Sequence, residues 1–530
     1  MFVRNRHMQG KDYLSIIKTY RQGDKVRHKT IASLGTVQKL QATGEGKRIA
    51  EALLRYCDPE REMIDINSIE EQERQIWGSV RVYRKIWDKL GLTQLVKRLL
   101  KGRRIKFDLF SAVFLMLLDR LGDPKSKLKS YQEQEGYYGI VENELQHLYR
   151  ALDILAEGKE EIEQYLFQRN RNLFNMQVNV VLYDVTSLYF ESIKADQLKD
   201  FGFSKDGKSQ EVQVLLGLLL DMQGRPIGFD IFPGNRFEGH TLKTALAKLE
   251  ERFGLNRVIM VADQGMLSRQ NIAIIQKAGF EYVMGGRIKS RQRFLQEQVL
   301  DPQGYQEVLD EEGEEIFRYK ELACQEDKRI IATWSPKRQR RQQKERERLV
   351  QKAEKLVAEG KSQVISRRGA KRYLKVNASK VKGIDQERIE SDQRWDGYYS
   401  IETNCPNLSE RAIIGIYHDL WRVEQAFRIL KSHLEARPVF HWTPQRIKGH
   451  LVLCFIAFVM ERTLELELKE HKIEYSADKI RQALNQLQVS KVVIDQQTYC
   501  LRSLVKGLGN QILRALGIKI PPTICLPQDF

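Results

Sequence analysis

The spacing of apolar and polar positions divides the chain into stretches of different period. Near the N-terminus, "YLSIIKTYR" and "HKTIASLG" are apolar-rich runs separated by the turn-forming "QGDKV", which predicts strands within residues 1–45. Basic residues alternate with apolar ones there, so one face would pack while the other could meet phosphates. From about 46 to 175 the period turns helical. "FDLFSAVFLMLLDRLG" (107–122) is a strongly apolar helix stopped by Gly122 and Pro124, and "GKEEIEQYLFQRNRNLF" is a second, amphipathic one. At 178 the texture changes again. "VNVVLYDVTSLYF" reads as a buried strand, and "QVLLGLLLDMQGRPIGFDIFPGN" as a hairpin around "MQGRP". "HTLKTALAKLEERFG" is a helix with Gly254 as its stop, "RVIMVADQGM" a strand, "RQNIAIIQKAGF" a helix and "EYVMGG" a strand. The order β-β-β-α-β-α-β predicts a mixed α/β sheet.

Residues 287–395 interrupt that rhythm and read as an insertion. Its centre, "SPKRQRRQQKERERLVQKAEKLVAEGK" (335–361), is a long basic helix flanked by strand-like pieces such as "KRIIATW". Strand character resumes at "DGYYSIETN" (396–404). A helix carrying "YHDLWRVEQAFRILKS" (417–432) follows, capped by Asn407 or Ser409. "PQRIKGHLVLCFIAFVMERTLEL" is a last long helix, and the tail holds a strand-like "KVVID". The expected division is a small β region (1–45), a helical DNA-binding or dimerisation region (46–175), a core in two parts (176–286 and 396–468) around the insertion (287–395), and a C-terminal region (469–530).

Composition narrows the function classes. At 530 residues, with 42% apolar and 30% charged residues, the chain is globular and too long for one ordinary core. A net charge of +18 attracts polyanions, of which nucleic acid is the commonest. The six cysteines are scattered without a CxxC pair, against a zinc ribbon or disulfide scaffold and in keeping with a reducing cytoplasm. The start has no signal-peptide pattern. The longest apolar run, "LVLCFIAFVM" (451–460), is half the ~20 residues of a membrane span and reads as a buried helix.

Three carboxylates carry the candidate chemistry. Asp184 stands towards the end of an apolar strand, where an acid is costly to bury unless paired or bound to a cation; a strand-end turn with Thr186 is the plainer role. Asp263 repeats the situation in "VIMVADQGM", where an Asx turn explains it equally well. Acids from neighbouring strands of one sheet would meet and need a metal or a proton between them. On a helical wheel Tyr417, Glu424, Arg428 and Lys431 form one row beside an apolar face of Val423, Ala426, Phe427, Leu430 and Leu434. An i,i+4 bridge from Glu424 to Arg428 would account for part of that row but not for the strand acids. Three oxygen donors without a His or Cys cluster favour Mg²⁺ or Mn²⁺ over zinc. Two such ions about 3.5–4 Å apart can activate an oxygen nucleophile and stabilise a leaving 3′ oxygen in phosphodiester cleavage.

The order of strand Asp, later-strand Asp, insertion and helical Glu resembles the ribonuclease-H-like core of DDE transposases from bacterial insertion sequences. The helix is similar to the Y-x2-R-x3-E-x6-K signature of one subgroup, with Tyr417, Glu424 and Lys431 at its Y, E and K positions. Leu420 departs from the signature at its arginine position, and Arg422 or Arg428 is the cation available to replace it. The resemblance covers about 178–290 and 396–465. It implies an α/β, ribonuclease-H-like core preceded by a mostly helical region, with Asp184, Asp263 and Glu424 as catalytic, metal-binding acids for two Mg²⁺ or Mn²⁺ ions. It further implies Tyr417, Trp421, Arg422, Arg428 and Lys431 as DNA contacts. Members cut the ends of their own element and join them to target DNA, some through a hairpin intermediate in which an aromatic ring stacks on a flipped base; Trp421, Trp395 and Trp334 are candidates, core packing being their plainer role. The expected partners are double-stranded terminal repeats and target DNA, with a homodimer holding two ends; the expected location is a bacterial cytoplasm, nucleoid-associated when DNA is bound. A purely hydrolytic endonuclease of the same fold, or a non-catalytic DNA-binding derivative, are the alternatives. Of the smaller signals, "GFSKDGKSQ" (202–210) reads as a polar loop, His240 as a residue at a helix N-terminus near the site, and the basic 335–361 helix as a solvated face or a DNA contact.

Overall fold

A computed structural model describes residues 1–57, 69–173, 178–202, 210–255, 258–324, 328–359, 368–377, 380–494 and 497–530. The loop expected at 202–210 lies, apart from its two ends, outside the described residues. The chain forms two compact units, Met1–Arg74 with Ser490–Arg502 and Pro521–Phe530, and Gln75–Val489 with Ser503–Ile520.

In the first unit, Phe2–Met8, Lys11–Gln22 and Lys25–Thr36 make an antiparallel three-stranded sheet. The sequence reading found two of these strands. Phe2–Met8 escaped it because every side chain in it is exposed, so no apolar period marks the strand. Glu70–Ile76 is likewise a strand inside a stretch read as helical. Its sequence is almost wholly polar, and pairing rather than local propensity decides its state.

In the second unit the helices come first. α1 (Leu109–Gly122) starts at Asp108, whose carboxylate accepts from Phe110 N at 2.9 Å, and nearly all of its side chains are buried. α2 is Leu145–Glu157. The sheet then begins with β1 (Val180–Tyr189), β2 (Gln213–Leu220) and β3 (Pro226–Pro233), an antiparallel series. α3 (Leu242–Glu251), β4 (Ile259–Ala262), α4 (Arg269–Lys277) and β5 (Glu281–Gly285) follow, with β4 parallel to β1 and β5 parallel to β4. The strand order 3-2-1-4-5, with β2 alone reversed, is the ribonuclease-H-like arrangement, and every one of these elements matches the sequence reading.

Residues 287–395, the expected insertion, add strands to this sheet. β6 (Gln306–Leu309), β7 (Glu315–Leu322) and β8 (Arg329–Trp334) pair in sequence, and β8 lies against β9 (Tyr398–Thr403), which pairs with β5. The result is one nine-stranded sheet. The basic helix α5 (Pro336–Ala358) leaves β8 through Ser335, whose hydroxyl caps it at Arg338 N.

Side chains alternate across β1. Val181, Tyr183 and Val185 enter an apolar core with Leu242 and Leu246 of α3 and Ile275 of α4. The even-numbered positions face the other way, towards α6 (Glu410–His418), α7 (Trp421–Arg428) and α8 (Pro444–Glu470). α7 packs on β1 and α8 on β3, where the Phe455 and Phe229 rings lie 5.0 Å apart. The run 451–460 is buried throughout within α8, and among the described residues no helix is long and apolar enough to cross a membrane.

One acid interrupts the buried length of α8. Glu461 accepts a hydrogen bond from Tyr83 Oη at 3.0 Å, and burial, then the nearby Glu465 charge, pushes its carboxyl up to about 8. Between the ordinary glutamate range and that value the folded chain holds a proton that the unfolded chain has released. Stability therefore falls as pH rises from about 5 to about 8 and levels off above it. Glu461→Gln is expected to flatten that slope, read as denaturation midpoints across the same pH range.

Candidate active site

Asp184 and Asp263 are brought together by strand register. The parallel pairing of β1 with β4 ends at Tyr183 opposite Ala262, so the two acids are the next residue on each strand. β4 stops there and Asp263 opens a single 3₁₀ turn, Gln264–Met266. β1 does not stop. It continues to Tyr189 because β2 pairs with it throughout, Asp184 lying opposite Leu218. Asp184 is thus mid-strand and half-buried, and the expected turn with Thr186 does not form. Its Oδ1 accepts from the backbone N–H of Val185 at 2.7 Å.

The helix expected over 417–432 is three pieces. α6 is capped by Ser409, which accepts from Ala412 N at 3.3 Å. It ends at His418, and the chain tightens: Leu420, Arg422 and Val423 each donate to the carbonyl three residues back. α7 then runs to Arg428, and a π turn, Ile429–His433, closes with Leu434 N on Ile429 O at 2.8 Å. A uniform wheel drawn through 417–434 therefore mis-states the angles, although its apolar set is right: Val423, Ala426, Phe427, Leu430 and Leu434 are all buried. The widened turn sends His433 inward, where Nδ1 meets Asp478 Oδ1 at 3.1 Å, and leaves Lys431 beside the acids.

Asp184, Asp263 and Glu424 line one cleft of about 460 Å³, together with Arg428, Lys431, Thr186 and Phe427. Glu238 and Arg437 line it too, and the sequence reading named neither. Both stand in connecting segments, where no periodicity marks a residue as inward-facing. Among the described residues no three His, Cys, Asp or Glu side chains are drawn together tightly enough to enclose one ion. The donors are nevertheless all hard oxygens opening on one polar cleft, a chemistry that fits a divalent ion such as Mg²⁺ and not a thiolate- or imidazole-bound metal.

The other expected residues are distributed more widely. Tyr417 donates to Asp263 Oδ1 at 3.3 Å, and its hydroxyl is also hydrogen-bonded to that of Tyr399 on β9. Burial raises the Tyr399 phenol to about 12 and that of Tyr417 further, where the neighbouring Tyr399 and Asp263 add to the effect, so both are protonated at neutral pH. Arg422 points elsewhere: its Nε donates to Asp419 at 3.1 Å and its guanidinium lies over the exposed Trp421 ring. Of the two arginines Arg422 and Arg428, it is Arg428 that reaches the cleft. Leu420, at the signature's arginine position, is half-buried at the α6–α7 junction. Trp395 is buried in the core of the inserted segment, and Trp334 donates its Nε1 proton to Asp396 O at 3.1 Å. His240 is exposed in a turn just before α3, as expected of a helix-start residue.

The basic helix has two faces. Lys337, Arg340, Arg341, Lys344 and Arg348 form one stripe along a cleft of about 1140 Å³, whose far wall carries Asp310, Glu314 and Glu315. On the inner face Arg338 lies 4.2 Å from the Tyr399 ring centroid, Gln342 Oε1 accepts from Gly397 N at 2.7 Å, and Arg346 pairs with Asp396.

With this geometry established, comparison with known proteins gives two family matches. Residues 177–460, more than half of the chain, match the transposase DDE domain, and residues 3–62 match the IS1634 family transposase N-terminal domain. No curated protein matches the chain. Among solved structures, a piggyBac transposase synaptic complex with hairpin DNA aligns at 8% identity over 78% of this chain and 82% of that one, with a TM-score of 0.37. A Mos1 transposase paired-end complex with the left transposon end aligns at 13% identity over 34% of this chain and 60% of that one, with a TM-score of 0.15.

Proposed function

This chain belongs to the transposase DDE-domain family, and from that premise we propose that Asp184, Asp263 and Glu424 are the acids with which it cleaves the ends of an insertion sequence and joins them to target DNA. The family uses divalent metal ions; two Mg²⁺ or Mn²⁺ ions are the complement proposed here. The observation that carries the reading is the shared cleft: three acids separated by 79 and 161 positions in the chain line one cavity with two strands and one helix behind it.

Each group there has work suited to its chemistry. Asp184, Asp263 and Glu424 would hold the ions, which when bound polarise a phosphoryl oxygen and make an oxygen nucleophile available at neutral pH. Arg428, Lys431 and Arg437 supply positive charge on the same cleft wall, where they neutralise the scissile phosphate and the charge that grows on it. Tyr417, Trp421 and Arg422 are proposed as contacts to DNA beyond the scissile phosphate. Of Trp421, Trp395 and Trp334, Trp421 at the start of α7 is the exposed ring and the one proposed to stack on an unpaired base. Two copies of the chain would hold two element ends, with the protein associated with the nucleoid while bound.

The test is a strand-transfer reaction on the DNA flanking the gene, run with Mg²⁺ or Mn²⁺ and with EDTA. Joined products that need the metal support transposition; cleavage without joining would make this a hydrolytic nuclease instead. The α5 stripe adds a separate expectation. Replacing Lys337, Arg340, Arg341 and Lys344 together by Ala should weaken binding to unrelated and element DNA alike. It should also reduce the slope of log affinity against log salt by about 0.9 for each side chain that meets a phosphate.

A further inference from the structure

Asp263 is exposed at the end of β4, where a carboxylate on a turn rotates freely unless something fixes it. What fixes it is a line of three side chains from distant parts of the chain. Tyr417 donates to Asp263 Oδ1. A phenol has one proton, so the Tyr417 oxygen is an acceptor in its other bond, and Tyr399 must be the donor there. Tyr399 is held in turn by Arg338, whose guanidinium covers its ring. The proton donors thus all point one way, from β9 through α6 to Oδ1, which leaves Oδ2 as the oxygen turned from the phenol.

The backbone around this line is shaped to admit it. Gly285 ends β5 beside the two phenols. A Cβ there would collide with the Tyr399 hydroxyl and lie 2.7 Å from that of Tyr417 and 3.0 Å from the backbone nitrogen of Gln264. The inner face of α5 is also pinned on both sides of Arg338's contact, by Ser335 N on Gly397 O at 3.2 Å and by Gln342 on Gly397. The stretch of helix that carries Arg338 is thereby held beside the ring.

We infer that Tyr399 and Arg338 are positioning residues for Asp263, through which the inserted helix α5 sets the orientation of the second acid and with it the affinity of the cleft for divalent metal. The inference rests on the reading of Asp263 as a metal-binding carboxylate. Partners behind a metal-binding group that orient it typically account for a 10–100-fold change in metal affinity, at about that order of magnitude.

The experiment titrates the full-length, DNA-free protein with Mn²⁺ by electron paramagnetic resonance, and separately measures end cleavage against Mn²⁺ concentration. Tyr399→Phe is expected to weaken Mn²⁺ binding by about tenfold and to shift the cleavage curve to higher Mn²⁺ while the saturating rate is largely recovered. Arg338→Ala should shift the same curve in the same direction, Arg338→Lys should restore part of the loss, and the double variant should be no worse than Tyr399→Phe alone, since both act on one line. Wild-type Mn²⁺ affinity in folded Tyr399→Phe and in Arg338→Ala would overturn the inference. If Tyr399→Phe does not fold, the two Arg338 variants decide it. Asp263→Ala separates the two levels: loss of Mn²⁺ binding there with unchanged positioning variants rejects only the positioning role, whereas unchanged Mn²⁺ binding and cleavage in Asp263→Ala rejects the site itself.

Discussion

Asp184→Ala, Asp263→Ala and Glu424→Ala are each expected to lower metal-dependent end cleavage by a factor on the order of a thousand or more, about 4 kcal/mol of barrier, while binding to element ends is retained. The reason is geometric. The three acids are the carboxylates contributed to the cleft by β1, by the end of β4 and by α7, one from each element. Removing any one leaves an incomplete ligand set and takes one negative charge from a cleft that also holds Arg428, Lys431 and Arg437. The lost negative charge favours DNA binding and does nothing for the chemical step. Gel-shift affinity and cleavage rate measured on the same preparations separate the two effects. A Glu424→Ala variant that cuts at the wild-type rate would remove Glu424 from the site.

Gly449→Ala is expected to be the most damaging small substitution in the described core. Gly449 lies on α8 where that helix crosses α2, and a Cβ there would overlap the Leu152 carbonyl oxygen and sit 2.7 Å from its carbonyl carbon and 3.1 Å from its Cα. Those are backbone atoms in the middle of a helix, so nothing short of moving the helices apart relieves the clash. Alanine's better helix propensity returns about 1 kcal/mol. Overpacking of this kind costs about 3 kcal/mol or more. A net loss follows, visible as a lower denaturation midpoint. Because Phe455 of the same helix packs on Phe229 of β3, the catalytic sheet loses part of its backing and cleavage should fall as well. Wild-type stability in Gly449→Ala would show that α2 and α8 cross with more freedom than this.

These four residues also mark what a sequence can and cannot reveal. The strands that carry Asp184 and Asp263 were legible because a continuous apolar run leads up to each acid. The hairpin of β2 and β3 was legible from its turn residues. The β-β-β-α-β-α-β order then followed, and with it the neighbouring placement of two acids. Register was not legible. Nothing local says that β4 ends at Ala262 while β1 runs on to Tyr189, since that depends on β2 lying along β1 from Leu182 to Tyr189.

The helix bearing Glu424 failed in a different way. Its apolar positions were read correctly, but a wheel assumes a constant turn, and the chain tightens at 420–423 and widens at 429–433. Glu238 and Arg437 carry no pattern at all, being in connections whose direction is set by what they join. Nor does any residue near 330 announce that β8 pairs with β9; Ile331 opposite Ile401 is a contact made across 70 positions of chain. Gly449 itself looks like an ordinary weak point in a helix until the crossing partner is known.

That same pairing of β8 with β9 has a consequence for how such a chain can be altered. A segment hung on two flexible tethers can be trimmed or exchanged freely, whereas this one is woven into the sheet. Excising residues 287–395 would uncover the whole flank of β9, from Tyr398 to Thr403, as a ladder of unmatched amides and carbonyls. Such a flank recruits other chains, so the shortened protein should self-associate rather than behave as a smaller enzyme.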